Sequence, residues 1–360
     1  MNKIPFWQPA REYHKYKEEF DNAIHRVLEN GELVLGFGKD IEIFEKSFAE
    51  FMGAKYAVMC GAGTQALYLA YRSLGIGAGD EVITTSHTFI ATIDQIVALG
   101  AKPILVDIGD DGLIDPDLIE KAITKKTKAI VPVHLEGKVC NMDRILEIAE
   151  KHNLLVIEDG AQAIGAKGVG RGNATCFSMF PAKALGSFGN SGMVITNDET
   201  LAERMRMMRC NWNIGKNPDV NGAEFGMNLE PDNLQAAVLN VKLKYFPERL
   251  ARRKEIAEKY DEAFLMLPLI RPRKQEGRIY QDYVIRLSNK AKFCDHLTEY
   301  GIGILGHNLI PNHFYTRLGL DFDLPNTEEY VLSQVRIPCN PDLTEEEVDY
   351  IIKVIRLFYE

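Results

Sequence analysis

Apolar residues recur every three or four positions over Phe20–Glu29 and Ile41–Met52, the spacing of one helical face, so the chain is expected to open on two helices. A regular alternation follows. Short runs of β-branched and other apolar residues lie at Tyr56–Cys60, Glu81–Thr84, Pro103–Val106, Ala129–Pro132 and Leu154–Ile157. Helical patterns separate them at Thr64–Leu74, Phe89–Leu99, Pro116–Ile123 and Met142–His152. Strands spaced by helices predict βαβ crossovers and a largely parallel sheet covered on both faces. After Asp159 the rhythm changes. The runs Thr175–Phe180 and Met193–Thr196 are separated by a Gly-containing loop too short for a crossover helix, which predicts at least one antiparallel pairing. The expected class is therefore α/β: a three-layer α/β/α arrangement with a mostly parallel mixed sheet of about seven strands.

Helical patterns continue over Glu199–Arg209, Asn233–Leu243 and Glu248–Leu265. From about Met266 a smaller α+β unit is expected, with a strand at Tyr283–Leu287 and helices at Lys292–Tyr300 and Glu345–Phe358. The boundary falls within 246–270. Taken at 250, it leaves N-terminal helices and a large α/β domain over 1–250 and a small C-terminal α+β domain over 251–360.

Composition narrows the function. Of 360 residues 46% are hydrophobic and 26% charged, ordinary for a globular chain with a large core. Lys and Arg number 42 against 51 Asp and Glu, a net charge of −9, which argues against nucleic acid or a membrane surface as partner. No apolar run approaches the roughly 18 residues needed to cross a bilayer. The opening Met1–Trp7 lacks the apolar core of a signal peptide. Six cysteines lie far apart with no CxxC and no zinc spacing, so a cytoplasmic location, reduced thiols and no metal site are expected.

Three features gather where ligands bind in such sheets, at the carboxyl ends of strands. Gly61-Ala62-Gly63-Thr64 joins the first strand to its helix. Its free backbone N–H groups and the helix dipole suit a phosphate, although a tight turn with an ordinary N-cap has the same look. Glu158-Asp159-Gly160-Ala161-Gln162 follows a buried strand. Its acids can serve as metal ligand, general base, partner of a protonated ring nitrogen, or plain helix cap. Lys183 follows Phe177-Ser178-Met179-Phe180-Pro181-Ala182 in a loop rich in Pro and Gly, where most lysines would be solvated surface residues. Together the three match one cofactor. Pyridoxal 5'-phosphate needs a lysine for its Schiff base, a carboxylate for its pyridine nitrogen and an anion site for its phosphate.

At these residues the chain resembles the DegT/DnrJ/EryC1/StrS sugar aminotransferases, of the aspartate-aminotransferase superfamily with fold type I. Matching stretches run in order along nearly the whole chain: Gly63-Thr64-Gln65-Ala66-Leu67, Gly75–Ile83, Thr88-Phe89-Ile90-Ala91-Thr92, Pro132-Val133-His134-Leu135, Ile157–Ala163, the Lys183 segment, and Asp232–Ala237. The resemblance implies that the large domain binds the cofactor and that Lys183 carries it and shuttles the proton. It implies that Asp159 pairs with the ring nitrogen, that Gln162 approaches the ring hydroxyl, and that Gly63, Thr64 and Ser178 hold the phosphate. Phe89 would stack on the ring; a core phenylalanine on a helix is the other reading. Asn228 would reach the phosphate of the neighbouring subunit. Its position well after Lys183 and just before a helix also suits an interface, so a homodimer with shared active sites is expected.

The implied activity moves an amino group from L-glutamate to a keto group, at C3 or C4, of a nucleotide-linked keto-deoxysugar. A related sugar dehydratase branch carries His where Lys183 stands; a non-catalytic binding or regulatory protein on the same fold is the remaining alternative. The chain departs from the family pattern in places. Glu230 stands where the family often has Arg in Asn-x-Arg, and Asn190-Ser191-Gly192 replaces the usual Asp-Gly-Gly. The segment between Gly165 and Ser178 is short, and a His-Tyr-Pro-like element reads His307-Asn308-Leu309-Ile310-Pro311. His307, Arg278, Lys216 and Tyr315 are candidate substrate contacts.

Overall fold

A computed structural model describes residues 3–211, 226–306, 309–315 and 319–360. Three helices, α1 (Pro9–Lys15), α2 (Lys17–Asn30) and α3 (Asp40–Met52), precede the sheet. β1 (Tyr56–Cys60) leads into α4 (Gly63–Ser73) and β2 (Glu81–Thr85) into α5 (Ala91–Ala98). β3 (Lys102–Val106) leads into α6 (Pro116–Ala122), and β4 (Thr127–Ile130) into α7 (Met142–His152). β5 (Leu155–Asp159), β6 (Ala174–Ser178) and β7 (Gly192–Thr196) follow without a helix between them; α8 (Glu199–Met208) and the long α9 (Asn233–Ala263) come after.

The seven strands lie in the order β1-β7-β6-β5-β4-β2-β3. Six run the same way. β7 alone is antiparallel, to β1 on one side and β6 on the other. That is the antiparallel pairing expected from the short β6–β7 connection, and the sheet has the expected mixed character. Its strands are buried on both faces. Val58, Cys60, Cys176 and Val194 pack toward α4 and α8. Met59, Phe177, Met193 and Ile195 pack toward Phe44 and Phe48 of α3 and Ala236 and Leu239 of α9, so the three layers are helix, sheet and helix.

The C-terminal part is a two-stranded antiparallel ribbon of β8 (Tyr283–Arg286) and β9 (Gln334–Ile337) with α10 (Lys290–Glu299), α11 (Pro325–Ser333) and α12 (Glu345–Leu357). Its own core joins Phe293, Leu297, Val335, Ile351 and Ile355 to Ile256 and Tyr260 of α9 and to Phe264 just after it. α9 thus serves both cores, and the expected division at 250 lies inside it. The two helices expected over Asn233–Leu243 and Glu248–Leu265 are one, passing through Pro247. A proline removes one N–H bond and clashes one turn back. Here the buried Leu239, Phe246, Ile256 and Tyr260 hold the helix on both sides of that defect. Among the described residues no helix is long and apolar enough to cross a membrane, and all six cysteines are free and buried.

Candidate active site

Because β1, β2, β4, β5 and β6 are parallel, their carboxyl ends share one edge, and antiparallel β7 begins at that same edge. The segments that leave these strands therefore converge. They enclose a cavity of about 420 Å³ lined by Gly63, Thr64, Phe89, Asp159, Gln162, Ser178 and Lys183. Seven of the eight site residues expected from the sequence are brought together here.

α4 begins at the cavity wall. Its N-cap residue, Ala62, has no side chain able to cap the first turn, so backbone N–H groups there remain available to an anion. Gly63 is required by packing, since a Cβ on it would sit 2.6 Å from Cβ of Ser178. That close approach puts the Ser178 hydroxyl beside the start of the helix. Asp159, at the end of β5, is only 4% exposed. Thr92 Oγ1 donates to its Oδ2 at 2.7 Å and the Ala161 N–H to its Oδ1 at 3.1 Å. Each oxygen keeps acceptor capacity for a further donor. Gln162 Oε1 accepts from the Glu136 N–H at 2.8 Å, which fixes the side chain and leaves its NH₂ group to donate elsewhere. Lys183 has its ammonium pKa lowered by loss of hydration, partly countered by Asp282 and Asp159 and reinforced by Arg336. A lysine poised toward its neutral form is the one able to act as nucleophile and base.

Phe89 is 71% exposed and precedes α5, which starts two residues later than expected. The core reading of this ring is excluded, and its ring borders the cavity. The adjacent carboxylate Glu158 is fully buried and faces away from the cavity. It accepts from the amides of Gly170, Arg171 and Gly172 at 3.0, 2.6 and 2.5 Å and pairs with His134 Nε2 at 2.7 Å. Glu158 is thus structural.

Asn228 is not part of this wall. It is exposed, bridged to Cys210, and its Oδ1 accepts from the Glu230 N–H at 3.4 Å. Arg278 is buried against Glu136, Nη2 to Oε2 at 3.5 Å, so it belongs to an internal ion cluster rather than to a substrate surface. Tyr315 borders an adjoining cavity of about 210 Å³ with His87, Gln334 and Arg336; Phe89 and Gln162 line both spaces. His307 and Lys216 lie outside the described residues. Two contributors went unassigned in the sequence. Thr92 belongs to a matching stretch, but only the fold shows that its hydroxyl meets Asp159. Ser191 stood out only as a departure from the family pattern, and it lines the same cavity.

The donor set fits a ligand with an anion at the start of α4, a protonated ring nitrogen at Asp159 and an amine-reactive carbon at Lys183. Fold and cavity together define an enzyme of the transaminase class. The chain belongs to the DegT/DnrJ/EryC1/StrS aminotransferase family, whose model matches residues 14–356. It is 39% identical over 369 residues to the dTDP-3-amino-3,6-dideoxy-alpha-D-galactopyranose transaminase of Aneurinibacillus thermoaerophilus, covering 99% of each chain. It is 36% identical to a pleiotropic regulatory protein of Geobacillus stearothermophilus, covering 99% of this chain and 98% of that one. The crystal structure of DesV from S. venezuelae, in complex with a ketimine intermediate, matches with a TM-score of 0.94 at 35% identity, over 100% of this chain and 99% of the other. The family, the fold and the enzyme class expected from the sequence are all borne out.

Proposed function

We propose that the protein transfers an amino group from L-glutamate to the C3 or C4 keto group of a nucleotide-linked deoxysugar, using pyridoxal 5'-phosphate. The observation that carries this reading is that Lys183 and Asp159 face one cavity whose wall is the uncapped start of α4. When bound, the cofactor supplies an electron sink for the carbon that gains or loses the proton. The N–H groups of Gly63 and Thr64, with the Ser178 hydroxyl, bind the phosphate. Phe89 covers one face of the ring, and Gln162 donates to its hydroxyl. Asp159, held by Thr92 and Ala161, keeps a proton on the ring nitrogen. Lys183 takes the proton from the glutamate α-carbon and later delivers one to the sugar carbon, work that its lowered pKa suits.

The adjoining cavity bordered by Tyr315 and Arg336 gives the sugar and its nucleotide room beside the ring. Asn228 completes the site of a second subunit in a homodimer. Exposed Leu33, Val34 and Phe37, on the segment bridged to Asp232 through Val34, support an apolar contact there. Six buried thiols suit a cytoplasmic enzyme.

A regulatory reading is favoured by the name of the Geobacillus relative. Intact Lys183 and Asp159 weigh against a purely non-catalytic role, and Lys183 weighs against the dehydratase branch. The test is a panel of dTDP-, UDP- and GDP-linked 3-keto and 4-keto deoxysugars with glutamate as donor. One member is expected to yield an aminosugar with stoichiometric 2-oxoglutarate. Release of 2-oxoglutarate with no sugar aminated would overturn the sugar assignment.

A further inference from the structure

The loop between β2 and α5 carries Phe89, the ring proposed to cover the cofactor. Phe89 is so exposed that packing does little to hold it, and its direction depends on the backbone beneath it. That backbone is held from far along the chain. Asn312, buried and 226 residues beyond Ser86, donates from Nδ2 to the Ser86 carbonyl at 3.0 Å and to the Thr88 carbonyl at 2.8 Å. Carbonyl oxygens only accept, so the amide must turn its nitrogen toward them, and both its protons are used. The Thr88 carbonyl belongs to the planar peptide group that joins Thr88 to Phe89, so fixing it sets how the Phe89 side chain leaves the backbone. His313 tightens the same clamp. Its N–H donates to Ser86 Oγ at 3.0 Å, and its Nδ1 lies 2.8 Å from that oxygen. On the other side of Phe89, its carbonyl accepts from the Thr92 N–H at 3.2 Å.

Asn312 belongs to the C-terminal part, and it also borders the 210 Å³ cavity beside the ring. Its amide therefore joins the two parts of the molecule at the loop that carries the ring cover. We infer that Asn312 is a positioning residue for the cofactor: by holding the Ser86 and Thr88 carbonyls, it aims Phe89 over the ring. The inference rests on the proposed reading of the larger cavity as a pyridoxal 5'-phosphate site.

The experiment measures cofactor affinity with no substrate present, so a contact between Asn312 and the sugar plays no part. Apoprotein of the wild type, Phe89→Ala, Asn312→Ala and the double variant is titrated with pyridoxal 5'-phosphate. Loss of an aromatic stack predicts that Phe89→Ala raises Kd about tenfold. Asn312→Ala should raise Kd about fivefold with Phe89 still in place, and weaken the visible circular dichroism of the bound cofactor. The double variant should bind no more weakly than Phe89→Ala alone, because the two residues act through one contact. Asn326→Ala is the control for plain loss of stability. The Asn326 side chain donates to the Ile108 carbonyl at 3.0 Å, tying the same two parts together elsewhere, so its loss should lower the melting temperature and leave Kd unchanged. Asn312→Ser is run beside Asn312→Ala as the milder change, in case the alanine protein does not fold. Losses that add in the double variant, unchanged affinity in the Asn312 variants, or equal weakening in Asn326→Ala would each overturn the inference. An unchanged Kd in Phe89→Ala, or a wild type that binds no cofactor, would instead bring down the reading of the cavity, and this inference with it.

Discussion

Glu158 and Asp159 are neighbours of the same charge that leave β5 on opposite faces, as consecutive strand residues must. One is locked to His134 and three backbone amides; the other meets the cavity. The sequence showed an acidic pair at a strand end, and only the resemblance to a family singled out Asp159. Lys183, Gly63 and Thr64 stood out because their residue types and strand-end positions suit one cofactor, and all three line the cavity. Thr92 did not, because its partner lies 67 residues away and nothing local announces it. Its hydroxyl also lies 2.6 Å from Thr88 Oγ1, so Thr88 can donate to Thr92 while Thr92 donates to Asp159. Thr92→Val keeps the shape and deletes the donor, leaving a buried carboxylate oxygen short of a partner, a cost of about 1–3 kcal/mol. Melting temperature and kcat should both fall, kcat by about tenfold, and Thr92→Ser should restore both. Normal kcat in the valine variant would show that Asp159 needs no such support.

At the scale of elements, the alternation of strand and helix in the first 200 residues was readable because each element carries its own pattern. α7, for example, has Met142, Ile145, Ile148 and Ala149 on one buried face and an Asn141 N-cap accepting from the Arg144 N–H. α11 carries no such signal. Its N-cap, Leu324, cannot cap. Asp107, at the end of β3, supplies the function instead, accepting from the amides of Asn326 and Thr327 at 2.9 and 2.8 Å. A helix capped by a residue more than 200 positions away is invisible to local reading, and β9, which follows α11 with no turn, was missed with it. α9 fails in the opposite sense: Pro247 reads locally as a break, and two hydrophobic cores overrule it.

Those long-range bonds belong to a seam that ties the C-terminal part to the sheet. Glu136 pairs with Lys138 at 3.0 Å and accepts from the Tyr330 hydroxyl at 3.0 Å; against the cost of burial, Lys138 and Arg278 hold its carboxyl down to about 2. His87 lies in the same seam. Its Nδ1 lies 2.8 Å from the Gly112 carbonyl, which can only accept, so Nδ1 carries the proton and Nε2 can accept from Gln334 at 3.3 Å. Burial pushes its pKa down to about 4, against an ordinary value near 6.5. A depressed pKa adds stability that is fully present above about 6.5 and is lost as pH falls toward 4, on the order of 3 kcal/mol for a shift of this size. Glu136 releases its own share later, from about 4.5 down to about 2. The melting temperature should therefore fall between pH 6.5 and 4 more steeply in the wild type than in His87→Asn. Parallel curves would remove His87 from the seam's acid response.

For the whole molecule, the parallel strands and the reversed β7 gather widely separated residues at one edge, and Lys183 is the group on which the proposed chemistry turns. The most direct measurement is the half-reaction with no sugar present. Purified protein loaded with pyridoxal 5'-phosphate is mixed with L-glutamate, and 2-oxoglutarate is counted against sites while visible absorbance is followed. The account predicts one 2-oxoglutarate per site with loss of the visible band, and neither change in Lys183→Ala, which should melt close to the wild type. Undiminished 2-oxoglutarate from Lys183→Ala, or none from the wild type, would contradict it.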